Sequence, residues 1–395
     1  MPTLIATALA DGSAHEAAAR LISDVRAQLG GASPALVAVF ASTAQPLGDV
    51  ATAVGEAFRD AVVIGASTAG EFTELGDAKR SASVFALAGD YRVHAGIGAG
   101  QRENAERAVA RALEGMPTEV AGYPHRTAIL LLDPLAGNGE EVTLITASLL
   151  GPDVKLAGGA AGDDLAMKST EVSLGGRAAS DSIVLAMIFS KHPLGVGASH
   201  GHRALSAPLR VTKASGNVVH TIEGRPAWDV WLEQTRGRAA EEGIDAANLA
   251  RGEEGSYLLR YEAGLAAGDG ALKVRAPLSR SDDGSISFAC GIPEGSIIRI
   301  TESTSARQVE SAREAARLAR LELGDAQPAG ALVFDCICRN LILGGAFDDA
   351  LKGMSKELGG ARLAGFETYG EIALGEGDMS GFHNTTSVVL AFPVA

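Results

Sequence analysis

The chain has 395 residues, 46% of them hydrophobic, 21% charged and 5% aromatic, with a formal net charge of −14 at pH 7. That length exceeds what one hydrophobic core usually fills, so two domains are expected. The negative balance repels phosphate backbones and anionic membranes, and few aromatic rings are available for base stacking, which sets aside nucleic acid and membrane surfaces as partners.

Residues 1–10 are apolar but lack a basic start, and no run of 18 apolar residues occurs, so a cytoplasmic protein is expected. Three cysteines, Cys290, Cys336 and Cys338, cannot all pair within the chain and suit a reducing compartment.

In chain order, an apolar run at 35–40 reads as a strand. A helix follows over 47–60, with Val50, Val54, Ala57 and Ala61 on one face, then a second strand at 61–64. It ends in a turn, Gly65-Ala-Ser-Thr-Ala-Gly-Glu-Phe72, followed by strands at 83–88 and 91–97. After a joining helix at 104–114, the same order returns over 127–202. Here the helix opens at Asn138-x-x-Glu141 and the turn is Gly158-Gly-Ala-Ala-Gly-Asp-Asp-Leu165. The segments 35–100 and 127–202 therefore read as a duplication of one α/β unit.

The texture changes beyond 211, and the domain boundary is placed at 215/216, giving domains 1–215 and 216–395. Short strands are expected at 217–222, 257–261, 272–274, 286–289 and 296–301, with a helix starting at Arg225-Pro-Ala-Trp228. A helix opened by Ser305-x-x-Gln308 keeps Val309, Ala312, Ala316, Ala319 and Leu323 on one stripe. A third unit occupies 330–374, with Cys336-Ile-Cys338-Arg339-Asn340 at a strand end and a third turn, Gly365-Phe-Glu-Thr-Tyr-Gly-Glu-Ile372. The last strand spans 386–392. The expected class is α/β (mixed α+β): duplicated βαβ-containing units in mixed sheets flanked by helices.

Each turn ends in glycine and an acid at the carboxyl end of a strand, where open α/β sheets hold ligands. Ser67, Thr68 and Glu71, then Asp163 and Asp164, then Glu367, Tyr369 and Glu371 are the candidate binding residues. The plainer alternative is that the glycines permit tight turns and the acids cap them. Only the third copy has Cys336 and Arg339 upstream, so ligand chemistry is placed there and the first two turns are read as mainly architectural. Arg339 would clamp a carboxylate and Glu371 an ammonium, as an α-amino acid requires.

His383 and Asn384 follow an acidic, glycine-rich stretch at 375–378. His383 is a candidate base or haem ligand, or a turn histidine bonded to backbone. A Cys336 nucleophile with a His383 base is the enzymatic alternative to binding. His200-x-His202 shares one strand face but lacks a third ligand, so no metal is predicted. Gly96-x-Gly98-x-Gly100 lacks dinucleotide-loop spacing.

Taken together, the three turns, 288–298 (Phe-Ala-Cys-Gly-Ile-Pro-Glu-Gly-Ser-Ile-Ile), Cys336-x-x-Arg339 and Phe382-His-Asn-Thr385 resemble the FIST family. The resemblance spans an N-terminal FIST region over about 30–215 and a C-terminal one over 216–385. It implies an intracellular sensory module for small ligands, with amino acids proposed, often joined to kinases, methyl-accepting or cyclic-dinucleotide signalling domains. Some members resemble haem-based nitric oxide sensors, and a eukaryotic branch sits in F-box proteins. This chain shows no effector motif, so its output is expected to pass through a separate signalling partner such as a kinase. A homodimer is a further expectation, from unpaired sheet edges.

Overall fold

The computed structural model describes residues 2–249, 253–266, 272–375 and 381–394. The first unit runs β1 (Leu4–Asp11), α1 (Ala14–Leu29), β2 (Pro34–Ala41), α2 (Leu47–Ala57), β3 (Val62–Ser67), a hairpin of β4 (Glu71–Thr73) and β5 (Gly76–Ala78), and β6 (Ser81–Ala88). The second runs β7 (Arg92–Ala99), α3 (Ala105–Leu113), β8 (His125–Leu132), α4 (Gly139–Leu150), β9 (Val154–Ala160), a hairpin of β10 (Val172–Leu174) and β11 (Arg177–Ala179), and β12 (Ser182–Ser190).

The third unit opens with β13 (Gly195–His200) and is then interrupted. The inserted module holds β14 (Arg203–Ala204), β15 (Leu209–Ser215), β16 (Val218–Ile222), β17 (Arg225–Pro226), α5 (Ala227–Glu241) and α6 (Glu253–Arg260). It continues through β18 (Ala263–Ala266), β19 (Leu272–Arg275), β20 (Pro277–Arg280), β21 (Ile286–Phe288) and β22 (Ile297–Glu302), all nine strands forming one antiparallel sheet. The unit resumes with α7 (Ser305–Leu321), β23 (Pro328–Cys336), α8 (Ile337–Leu343), α9 (Phe347–Glu357), β24 (Arg362–Thr368), a hairpin of β25 (Glu371–Leu374) and β26 (Phe382–His383), and β27 (Thr386–Pro393). The class is the mixed α/β one expected, with βαβ units in mixed sheets flanked by helices, over two domains.

Each unit's hairpin leaves home. The three sheets run β1-β6-β2-β3-β10-β11, β7-β12-β8-β9-β25-β26 and β13-β27-β23-β24-β4-β5. The first unit thus gives β4 and β5 to the third sheet, the third gives β25 and β26 to the second, and the second gives β10 and β11 to the first. The register repeats as well: Phe72 lies opposite Gly365, Ile372 opposite Gly158, and Ser173 opposite Gly65.

Those three glycines are required by packing. A Cβ on Gly65, Gly158 or Gly365 would lie 2.6, 1.9 or 1.9 Å from the carbonyl oxygen of Val39, Leu130 or Val333 on the adjacent parallel strand. The spacing of Gly96 and Gly98 has a similar cause, because a Cβ there would meet the Ala112 and Ala108 carbonyls of α3 at 2.1 and 1.8 Å. The sheets converge on one apolar centre that includes Phe40, Ile129, Leu131, Ile188, Phe334 and Phe366, with Phe40 stacked on Phe366 at 4.5 Å. Such aromatic contacts add to the burial term that holds the units together.

Two local expectations are corrected. Segment 257–261 is not a strand but the end of α6 and its exit, because Tyr257, Leu258 and Tyr261 bury one helical face in the module core. Adjacent buried residues do not suit strand alternation. Of the segment Cys336–Asn340 expected at a strand end, only Cys336 ends the strand β23: it is also the N-cap of α8, so Cys338, Arg339 and Asn340 sit on a helix. Helix α1, opened by a Ser13–Glu16 capping box, went unread. Of the acidic stretch 375–378, residues 376–378 lie outside the described residues. Among the described residues, no helix is long and apolar enough to cross a membrane.

Candidate functional site

The first and third turns share their chemistry. Thr68 donates its hydroxyl to Glu71, whose other oxygen accepts from the Ser81 hydroxyl at 2.5 Å. Thr368 donates to Glu371 at 2.5 Å, and the other oxygen accepts from the Thr386 N–H at 3.1 Å. All four side chains are fully buried. Burial pushes the Glu71 carboxyl up to about 8, and it pushes Glu371 well above the ordinary carboxylate range, with the Cys336 thiol adding to the shift. These acids open the exchanged strands β4 and β25, so their main work is to seat the crossing point.

The other turn residues are anchored within the protein. Ser67 accepts the Glu171 N–H at 2.9 Å. Asp163 collects N–H donors from Met167, Lys168 and Ser169 at 2.8, 2.6 and 3.0 Å, and the Tyr369 hydroxyl at 2.7 Å. Burial would raise its pKa, but those bonds, led by Lys168 and Ser169, outweigh it and hold Asp163 below its usual range. Asp164 accepts from the Ser42 hydroxyl at 2.9 Å and from Thr43. Glu367, pushed up to about 7 by burial against the pull of Lys79, is paired with Lys79 and accepts from Asn340 at 2.6 Å.

Arg339 does not reach a ligand position. Its Nε donates to Asp335 at 2.8 Å, and its terminal nitrogens donate to Gln308 and to the Ser311 hydroxyl, the latter at 2.7 Å. Arg339 and Asp335 are wholly buried, locking β23 and α8 to α7. Arg339 as a carboxylate clamp is corrected on that ground, because a planar guanidinium spent on this fork is not available to a ligand. Glu371 as an ammonium partner meets the same objection: it is fully buried, already bonded by Thr368 and the Thr386 N–H, and burial favours its neutral form.

A cleft of about 890 Å³ opens between the inserted module, the second unit and the third. Cys336, Cys338, Tyr369 and Asn384 line one wall, and Cys290, Phe288 and Pro277 of the module line the other. All three cysteines of the chain therefore meet in one cavity. Burial holds the Cys336 thiol well above its usual range, with the adjoining Cys338 thiol next in effect, and burial raises Cys290 too. Leu165, Met167, Leu278 and Leu341 are exposed at the mouth, a cluster of apolar surface of the kind that marks a binding site. Leu165 and Met167 also hold positive φ, 65° and 53°, in the loop that Asp163 and Tyr369 pin. Non-glycine residues in that region store strain, which collects at functional sites.

His383 is not among the lining residues. Its Nε2 lies 3.3 Å from the Ala373 carbonyl, and burial pushes its pKa down to about 4. Among the described residues no hydrogen bond joins it to Cys336, so the nucleophile and base pair is not assembled. Among the described residues no histidine lines the cleft, so that lining does not fit a haem held through imidazole. Asn384 is 2% exposed at the cleft wall, where its Oδ1 accepts the Ala276 N–H at 3.4 Å and its Nδ2 donates to the His383 carbonyl at 3.0 Å.

Cys290 is named in the sequence only as a thiol and as part of 288–298, and neither it nor the apolar mouth is among the expected site residues, since nothing local in the sequence puts residues 290 and 336 on one cavity. Charges frame the cleft behind Cys290, where Glu140 on α4 bonds Arg275 at 2.5 Å and Lys273 at 2.9 Å. His202 and Glu262, both fully enclosed, face each other at 3.8 Å across the junction of module and core.

A family description of the FIST N domain matches residues 35–225, and one of the FIST C domain matches 227–374. None of the curated proteins matches the chain.

Proposed function

Since the chain belongs to the FIST family, whose domains are described as small-ligand-binding sensory domains of signal transduction, we propose that its ligand enters the cleft between the inserted module and the core. One observation carries this reading: a cavity of about 890 Å³, apolar at its mouth, gathers Cys290 from the inserted module and Cys336, Cys338, Tyr369 and Asn384 from the third unit. Pockets of a few hundred to a thousand Å³ with few polar groups suit small molecules. The cleft walls belong to different bodies, so an occupant that draws the module towards the core would change the surface offered to a separate signalling partner. An amino acid would find neither Arg339 nor Glu371 offered to it, which moves the ligand away from zwitterions.

The test is a thermal-shift screen of small metabolites, amino acids included, on the native chain and on Ser256→Trp, which fills the cleft from the module side. A ligand at a hundred times its Kd stabilises by about 2.7 kcal/mol, and that shift should vanish in the variant. A shift kept by the variant would place binding elsewhere.

A further inference from the structure

None of the described residues lining the cleft is a lysine, arginine, aspartate or glutamate. For a chain in which 21% of residues are charged, this is a selective composition across a lining drawn from three parts of the fold. The charged groups behind Cys290 are paired with each other. Glu140 takes Arg275 and Lys273, and Arg275 Nη1 also donates to the Val274 and Phe382 carbonyls at 3.2 and 3.3 Å, while its buried Nε has no hydrogen-bond partner among the described residues. Glu371 is fully buried, already bonded by Thr368 and Thr386.

The polar capacity that does face the cleft is neutral. An amide side chain can make four hydrogen bonds, and beside its two backbone partners Asn384 keeps an acceptor site and a donor shared only with the Cys290 thiol, on a nearly enclosed group. The Tyr369 hydroxyl, by contrast, is already used by Asp163 and the Leu165 N–H.

From this lining we propose that the cleft selects uncharged molecules, each with an apolar body for the Leu165, Met167, Leu278 and Leu341 mouth and one neutral hydrogen-bonding end, a hydroxyl, carbonyl or amide, for Asn384. The inference rests on reading the cleft as the ligand site. Its physical basis is desolvation: an ion entering a cavity without a counter-charge loses hydration that the walls do not replace.

The native thiols report on this directly. Methyl methanethiosulfonate is neutral, its sulfonatoethyl analogue anionic and its trimethylammonioethyl analogue cationic. Each transfers its thioalkyl group to a thiolate, forming a mixed disulfide and releasing methanesulfinate. Rates at Cys290, Cys336 and Cys338 of the full chain are read by peptide mass spectrometry, each normalised to the rate with 2-mercaptoethanol. Salt of about 0.5 M shortens the Debye length to about 4 Å and removes the bias from the net negative charge.

The neutral reagent should modify Cys338 about tenfold faster than either charged one. Leu341→Lys, which sets a cation at the mouth, should raise the sulfonate rate severalfold. A sulfonate or ammonium reagent matching the neutral one in the native chain would overturn charge selection while leaving the cleft standing as a site. Failure of all three reagents at Cys338, the partly exposed thiol, would show the cleft closed to small molecules and sink the underlying reading as well.

Discussion

The turns around Glu71 and Glu371 are one device used in two settings. In both, a threonine hydroxyl three residues upstream meets a buried carboxyl, and the strand that starts at the acid crosses into a neighbouring sheet. Around Glu71 the outer positions are occupied by the protein itself, with Lys79 and Asn340 closing over Glu367. Beside Glu371 the corresponding space holds Cys336 and opens to the cleft beneath the inserted module. A shared motif therefore marks a shared structural task. Function lies in what is placed next to it.

The largest effect should come from the support that only the third turn has. Arg339→Ala leaves Asp335 buried without its cation, and loss of about 3–5 kcal/mol is expected in urea denaturation. A loss under 1 kcal/mol would mean that the pair is not what fixes α8.

Next come Thr68→Val and Thr368→Val, each of which removes the hydroxyl donor to a buried acid. Each should cost about 1–3 kcal/mol, and near-equal losses would confirm the equivalence of the turns. The difference should appear in thiol chemistry, with Thr368→Val alone altering the methanethiosulfonate rates at Cys336 and Cys338.

Acidity sharpens the contrast further. The Glu71 carboxyl is raised from 4.5 to about 8 in the folded chain, so the folded state holds its proton where the unfolded state has released it. Its contribution is complete below pH 4.5 and is lost as pH rises through about 8. Between these values stability should fall by about 1 kcal/mol per pH unit from this group, and Glu71→Gln should remove that slope. A slope unchanged in the variant would show that Glu71 is ionised in the fold. The smallest effect is at the mouth: Leu341→Ala should shift stability by no more than about 0.5 kcal/mol while changing ligand response, and a larger loss would make the leucine a core residue.

Much of the architecture was legible because it is local and periodic. The three glycine-acid turns, the helical stripes of α2 and α7, and the strands on either side of each turn follow from spacing alone. What spacing lacks is destination. Nothing in 65–72 says that β4 will pair with β24 almost 300 residues later, because hairpin seating is decided by edges that exist only after the units fold. For the same reason Arg339 read as a free guanidinium: Asp335 is four residues away, but Gln308 and Ser311 arrive on a different helix. Cysteine placement was equally hidden. Cys290 and Cys336, 46 positions apart, face one cavity only because the module packs on the core, a placement that no motif encodes.

The circulating hairpins have a consequence for any shortened chain. A fragment ending after the second unit would keep the first sheet whole, since β10 and β11 are present. Its second sheet would end at an uncovered β9, and the β4–β5 hairpin would have no seat. The vacancy and the spare hairpin share one register, so in such a fragment one molecule's hairpin is expected to fill the next molecule's edge. Such head-to-tail donation closes into a ring or grows without limit. Within the intact chain, the third unit gives β9 its hairpin and seats β4–β5, so that all three exchanged hairpins find a place in one molecule.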